Sequence, residues 1–157
     1  ISWKKMYLKI GDQAPDFKVS NYKNEIITLS NFKGKKLLLW FFPKANTPGW
    51  ILEGTGFRDE FKNFTKYNIQ IVGVSADSQL KQNKFIKKFN FQYEIICDES
   101  KEMLKAYKAW GIKKFMGKKY EGIHRISYLI NEDGIIVKVF DKVKTTSHAR
   151  DILKEIY

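Results

Sequence analysis

The sequence has a single cysteine, Cys97, among its 157 residues. One thiol cannot close an internal disulfide. A disulfide-stapled scaffold is therefore excluded, and a reducing compartment is the default. Histidine is nearly as scarce. His124 and His148 are the only two, they are far apart, and no companion ligand pair exists, which argues against a metal site. Arginine is limited to Arg58, Arg125 and Arg150, so the formal net charge of +12 is almost all lysine. Those lysines are spread along the chain, with no arginine-rich arm and no basic stripe interleaved with exposed aromatics. Specific nucleic-acid binding is not expected; loose, salt-sensitive adhesion to polyanions is. Long apolar runs are missing too. The longest, Lys36 to Pro43, has the length of a buried strand and falls far short of the ~18–20 residues that span a bilayer. No membrane partner is expected. The opening Ile1-Ser2-Trp3-Lys4-Lys5-Met6 reads as neither a secretory signal nor a transit peptide. It lacks an initiator Met, so loss of a short upstream piece is expected. The expected compartment is the cytoplasm, with an organelle or the nucleus as alternatives. There is no linker, repeat or low-complexity tract.

What is present is a globular composition, 43% hydrophobic and 15% aromatic, enough for one core in one domain spanning 1–157. Val19-Ser20 and Ile26 to Leu29 flank Asn21 to Asn24 and predict an N-terminal hairpin. Ser30 to Gly34 predicts a short turn. Leu37 to Phe42 predicts a central strand, apolar on both faces. Phe57, Phe61 and Phe64 recur at helical spacing and predict one helix from about Gly49 to Tyr67. Ile69 to Ser75 predicts a strand. Ser78 to Phe89 predicts a helix with Leu80, Phe85, Ile86 and Phe89 on its apolar side. Tyr93 to Cys97 predicts another strand. Asp98 or Ser100 is placed to cap a helix reaching Tyr107 or Trp110. Ile126 to Ile130 and Ile135 to Phe140 flank Asn131-Glu132-Asp133-Gly134, a strong hairpin signal because Asp-Gly tolerates positive φ. A last helix is predicted from Ser147 to Tyr157. The alternation implies right-handed parallel crossovers. Periodicity alone supports an α/β fold with a mixed sheet.

Several segments then resemble one family. Phe41-Phe42-Pro43-Lys44-Ala45-Asn46-Thr47-Pro48-Gly49-Trp50 resembles the Pro-x-x-x-Thr-x-x-Cys loop of the peroxiredoxins, in the bacterioferritin-comigratory or peroxiredoxin Q branch. Trp50 stands where that motif ends in cysteine. Gly11-Asp12-Gln13-Ala14-Pro15-Asp16-Phe17, Gly56-Phe57-Arg58-Asp59, Gly73 to Ser78, Asp98-Glu99-Ser100, Phe115 to Tyr120 and Gly122-Ile123-His124-Arg125 are similar to the family's other segments, in the same order. Each match alone is weak; together they cover nearly the whole chain.

The resemblance implies a thioredoxin-like sandwich, a mixed central sheet flanked by helices, with an N-terminal hairpin. It implies reduction of hydrogen peroxide or organic hydroperoxides by a cysteine thiolate, with a thioredoxin-like reductant, no cofactor and no metal. Monomer or weak homodimer is expected. Such a thiolate needs a helix N-terminus and a cation to hold it ionised, and donors aimed at the peroxide oxygens. By resemblance Pro43 walls the pocket and Thr47 supplies a hydroxyl. The helix start at Gly49 supplies N–H groups, Arg125 is the cation, and Glu53 is the acid of the pocket. Thr55 occupies the position where many members carry a resolving cysteine. Taken singly, Thr47 also suits a helix cap and Arg125 a surface cation; the matched context favours the pocket.

An indole has no nucleophilic sulfur, so no peroxidase turnover is expected of this chain. One base separates Cys and Trp codons, so natural loss and laboratory substitution both reach this residue. The absence of a second cysteine at Thr55 favours natural loss. Cys97 follows a strand and precedes a helix start, but it lies to the side of the expected pocket and reads as a buried, inert thiol. His124 reads as a strand-edge residue that could touch the pocket. Two rival readings are a non-catalytic binding or regulatory module on the same fold, and a basic polyanion-binding or chaperone-like protein. An indole overpacking a cysteine-sized site costs roughly 1–3 kcal/mol. The loop from Asn46 to Ile51 is therefore expected to open, fray the first helical turn and place Trp50 at the surface or against a neighbouring molecule.

Overall fold

Side chains alternate across a strand, so the apolar run from Leu37 to Phe42 must face two cores. In the computed structural model, which describes residues 7–156, it does. Leu38, Trp40 and Phe42 enter one buried cluster, and Leu37, Leu39 and Phe41 enter the other. This strand, β3 (Lys36–Phe41), follows the hairpin β1 (Lys18–Ser20) and β2 (Ile26–Thr28) and a 3-10 turn at Leu29–Phe32. Next come α1 (Pro48–Asp59), α2 (Phe61–Lys66), β4 (Ile69–Ser75), α3 (Gln79–Phe89), β5 (Glu94–Cys97) and α4 (Glu102–Ala106). Then follow β6 (Trp110–Phe115), β7 (Lys118–Ile123), β8 (Ile126–Ile130), β9 (Ile136–Phe140) and α5 (His148–Ile156).

The central sheet has five strands in the order β5-β4-β3-β8-β9. β3 pairs parallel with β4 and antiparallel with β8, and β4 pairs parallel with β5. This is the expected thioredoxin-like α/β arrangement. Helices α1, α2, α3 and α5 bury Phe57, Phe64, Phe85, Ile86, Ile152 and Leu153 against one face of the sheet. α4 and the N-terminal segment bury Met103, Leu104, Phe17 and Ala14 against the other. Among the described residues no helix is long and apolar enough to cross a membrane. The expectations placed on Ile1 to Met6, and on Tyr157 as the last helical residue, fall outside the described residues.

Two sequence expectations are corrected, one open end is decided and one hairpin is added. The helix expected from Gly49 to Tyr67 is two helices. Glu60 sits between them at φ −96° and ψ 6° and serves as C-cap of α1 and N-cap of α2. Leu80 is not on the apolar side of α3 but 83% exposed. The buried stripe instead takes in Gln82, whose Nε2 donates to Ser75 Oγ at 2.7 Å while its Oε1 has no partner. Leu80 is five residues from Phe85, off the three-or-four spacing of one helix face. The helix after Cys97 takes the earlier of its two expected ends, with Tyr107 as C-cap, because Trp110 already begins a strand. Both capping candidates act there: Asp98 Oδ2 accepts from Leu104 N at 2.8 Å and Ser100 Oγ from Glu102 N at 3.3 Å. The β6–β7 hairpin went unread. Its lysines hide the period-two pattern, and its only sequence signal is the short turn at Met116-Gly117.

Candidate active site

Proline carries no N–H, so Pro43 cannot extend the ladder that Phe42 N makes to Val74 O at 3.1 Å. The chain leaves the sheet there and turns into α1. Ala45 N is tied to Asp77 Oδ2 at 2.8 Å, and Asn46 takes a positive φ of 59°. Thr47 is the extended N-cap residue, but its side chain does not cap; Thr47 Oγ1 donates back to Lys44 O at 2.8 Å. Pro48 opens the helix, where a missing N–H costs nothing. Ile51 N already bonds Thr47 O at 2.9 Å, so the first turn is wound. The N–H groups of Gly49 and Trp50 are among those that a helix start leaves without intrahelical acceptors.

Arg125, on the short link between β7 and β8, reaches this turn. A Cβ on Gly49 would lie 2.8 Å from Arg125 Nη2, so only glycine lets the guanidinium approach the helix backbone so closely. On its inner side the guanidinium pairs with Glu53, one turn further along α1. The Glu53 side chain is fully buried, whereas that of Arg125 keeps 22% exposure and so faces both the carboxylate and solvent. Burial pushes the Glu53 pKa up to about 7, although Arg125 pulls against it. The second oxygen, Glu53 Oε2, has no hydrogen-bond partner and lies 3.9 Å from His148 Nε2. His148, the first residue of α5, shares a 2.8 Å hydrogen bond with Ser127 Oγ. Burial lowers its pKa to about 4, so the imidazole is neutral at pH 7. Its ring also meets Phe57 and Phe140 edge-on at 5.7 and 6.2 Å.

Trp50 corrects the expectation of an opened loop. It is fully buried on a wound helix. Its ring lies 6.1 Å from Phe42, 6.2 Å from Phe85, 5.6 Å from Phe89 and 5.2 Å from Phe91. The indole is not confined to the cysteine-sized space that overpacking would require. The indole instead enters an aromatic nest supplied by α3 and the segment that follows it. Large apolar burial at ~25 cal/mol per Å² outweighs loop opening. The indole Nε1 has no acceptor there.

The structure thus brings Arg125 onto Gly49 and Glu53 of α1, while Pro43 and Thr47 lie on the segment that leads into that helix and Trp50 turns its ring into the aromatic nest. Thr55, one turn further, donates to Ile51 O at 2.7 Å and lines a groove of ≈ 280 Å³ between α1 and the start of α5. Cys97 lies in register with Ser75, two strands from β3. Burial, then the carboxylates of Asp77, Glu99 and Glu94, push its thiol up to about 12. His124 is buried and meets Tyr7 edge-on. The sequence alone assigns His148 and Ser127 no place in this site. A histidine just after a Thr-Thr-Ser helix start offers no signal of where that helix will dock. A larger groove of ≈ 610 Å³ lies at the opposite end of β3, lined by Lys35, Leu37 and Ile130 among others. Among the described residues no group of three or more His, Cys, Asp or Glu could hold a metal ion.

Residues 10–139 match the AhpC/TSA family. The putative peroxiredoxin bcp of Haemophilus influenzae is 40% identical over 146 residues, covering 93% of this chain and 94% of that one. The peroxiredoxin Bcp of Bacillus subtilis is 37% identical over 151 residues, covering 96% of each. This chain belongs to the AhpC/TSA family, in its peroxiredoxin Bcp branch. Solved structures agree with that placement of this peroxiredoxin. A Xylella fastidiosa PrxQ mutant superposes with a TM-score of 0.89 at 28% identity over 96% of both chains. The Xanthomonas campestris bacterioferritin comigratory protein gives 0.84 at 30% identity over 89% of both.

Proposed function

We propose that this peroxiredoxin has kept the pocket of a thiol peroxidase and lost the nucleophile. The observation that carries the reading is the Arg125 guanidinium, buttressed by buried Glu53 and packed on Gly49 at the wound start of α1. In a competent member, the thiolate at position 50 attacks one peroxide oxygen. The O–O bond breaks, sulfur becomes a sulfenic acid, and water or an alcohol leaves with the other oxygen. Arg125 and the first-turn N–H groups would stabilise the thiolate and the departing oxygen, Thr47 would orient the peroxide, and Pro43 would wall the site. Glu53, out of reach of substrate, would hold the guanidinium in place. Trp50 can perform no such attack, and Thr55 can resolve no sulfenic acid. The substrate class is hydrogen peroxide or an organic hydroperoxide. In support, the Xanthomonas campestris relative is described for alkyl peroxide reduction. The reductant class is thioredoxin-like. A reducing compartment such as the cytoplasm suits a chain whose lone cysteine is buried.

Peroxide consumption with thioredoxin, its reductase and NADPH tests the reading. The chain should match buffer. Turnover that survives Cys97→Ser would refute the loss of activity, and turnover abolished by Cys97→Ser would transfer the chemistry to Cys97. The second reading is a non-catalytic module that uses the same cation and N–H groups to hold a small anion or a partner. Its support is that Arg125 retains exposure in a chain without the thiol. Anion-induced stabilisation lost in Arg125→Ala would favour it.

A further inference from the structure

Gln82 is an odd member of an apolar stripe. It is fully buried on α3, yet its Oε1 has no partner. A buried amide with an unpaired oxygen is destabilising beside an apolar side chain of the same shape. What it brings is a pair of N–H donors, and both are used. Gln82 Nε2 donates to Ser75 Oγ at 2.7 Å and to Asp77 Oδ2 at 3.2 Å. Ser75 Oγ, also fully buried, donates to Asp77 Oδ2 at 2.9 Å and accepts from Asp77 N at 3.2 Å. Ala45 N is the third donor to Asp77 Oδ2, at 2.8 Å. One carboxylate oxygen thus gathers the end of β4, the helix α3 and the loop between Pro43 and Thr47.

The Ala45 bond is the one that bears on the site. Phe42 N makes the last ladder bond of the strand, and Ile51 N makes the first bond of the helix. Among the described residues, Ala45 N to Asp77 is the only hydrogen bond that ties the stretch between them to another element. Thr47 Oγ1 stays within the loop, on Lys44 O. Ala45 itself is buried, and Asn46 then turns through its positive φ into Thr47. The Asp77 side chain keeps only 7% exposure, with Oδ1 at 3.4 Å from Lys81 Nζ. A hydrogen bond to a carboxylate is roughly twice as strong as a neutral one, and burial keeps water from competing for it.

We infer that Asp77 is a positioning residue. Its carboxylate clamps the loop from Pro43 to Thr47 to the end of β4 and to α3, and so sets where Thr47 and the start of α1 stand beside Arg125. It acts through Ala45. Ser75 and Gln82 in turn hold the carboxylate, which gives the buried glutamine its role. The clamp belongs to this chain as it stands. Its effect on a thiolate at position 50 rests on the pocket proposed above.

Amide hydrogen exchange of the full chain, read residue by residue by NMR, tests this. Asp77→Ala should speed exchange at Ala45 about 10-fold more than at Leu38 and Leu129 on the core strands. Asp77→Asn keeps an acceptor for Ala45 N, so exchange there should stay within about 3-fold of the parent. In that variant the Ala45 amide proton should shift upfield, because its acceptor has lost its charge. Lys81→Gln should leave exchange within about 2-fold, since a half-exposed ion pair contributes little. In a Trp50→Cys, Cys97→Ser background, Asp77→Ala should raise the thiol pKa and slow oxidation by hydrogen peroxide about 10-fold. Asp77→Asn should restore most of that rate. The inference is overturned if Ala45 exchange rises no more than core exchange, or if Asp77→Asn is as impaired as Asp77→Ala. It is overturned too if an activated thiol is no slower with Asp77→Ala. Faster exchange confined to α3 would make Asp77 a charge at that helix start and overturn it as well. Should Asp77→Ala fail to fold, the Ala45 shift in Asp77→Asn decides, and an unmoved proton overturns the clamp. If the Trp50→Cys thiol reacts as free cysteine before Asp77 is changed, the pocket reading fails, and exchange in the parent still decides the clamp.

Discussion

The first turn of α1 has two sides, and they carry opposite chemistry. On one side Gly49 presents backbone to a guanidinium, and behind it Glu53, His148 and Ser127 form a buried polar cluster. On the other side Trp50 is enclosed by Phe42, Phe85, Phe89 and Phe91. On the proposed reading, the polar side keeps a cation and free helix N–H groups beside position 50 that a thiolate there would use. The aromatic side accepts a residue that excludes the thiolate. A helix start can therefore keep the electrostatics of a site after losing its reactive atom, provided the replacement side chain finds an apolar cavity and leaves the backbone alone.

The aromatic side is broken most directly by Trp50→Ala. Removing a fully buried indole should cost about 3–5 kcal/mol in urea unfolding, through lost burial and the cavity left behind. A cost under 1 kcal/mol would show that Trp50 does not sit in the nest. The polar side is broken by Arg125→Met, which leaves the Glu53 carboxylate without its cation. A loss of about 3 kcal/mol is expected at pH 8, shrinking towards pH 5 as the carboxyl protonates. A loss independent of pH would assign the effect to packing instead.

Titration sharpens the same contrast. The Glu53 pKa is raised in the fold to about 7, from an ordinary value of 4.5. The folded state thus holds its proton longer than the unfolded chain does. Its contribution to stability is full below pH 4.5 and is lost as pH rises to 7. His148 has the opposite sign: its pKa falls from 6.5 to about 4, so its contribution is full above pH 6.5 and is lost as pH falls. Relative to Glu53→Gln, the parent should lose stability between pH 4.5 and 7, at up to about 1.4 kcal/mol per pH unit. A flat difference would mean that the carboxyl titrates normally. The smallest effect is expected away from both sides: Leu80→Ser, on the exposed face of α3, should change stability by less than about 0.5 kcal/mol.

Much of this contrast was open to sequence reasoning, and its limits are instructive. Ile69 to Ser75 was legible as a strand because it is rich in β-branched residues, Ile69, Ile71, Val72 and Val74. A helix from about Gly49, one residue from its start at Pro48, was legible from the spacing of Phe57, Phe61 and Phe64, and Arg125 from its motif. The orientation of Trp50 was not, because its cavity is built by Phe85, Phe89 and Phe91, more than thirty residues on. A size argument confined to the loop could not see it. His148 reaches Glu53 only because α5 docks on α1, a contact between distant segments that no local pattern announces. The β6–β7 hairpin was hidden by lysines at positions where a strand on a core would carry apolar residues.

The central claim is that the polar side remains a working thiolate site. Trp50→Cys in a Cys97→Ser background isolates it, with the pH dependence of thiol alkylation and the rate of oxidation by hydrogen peroxide as readouts. The account predicts a thiol pKa below the ordinary ~8.5 and oxidation much faster than that of free cysteine, slowed again by Arg125→Ala. A protein that folds normally, yet whose thiol has an ordinary pKa and reacts no faster than free cysteine, would contradict it.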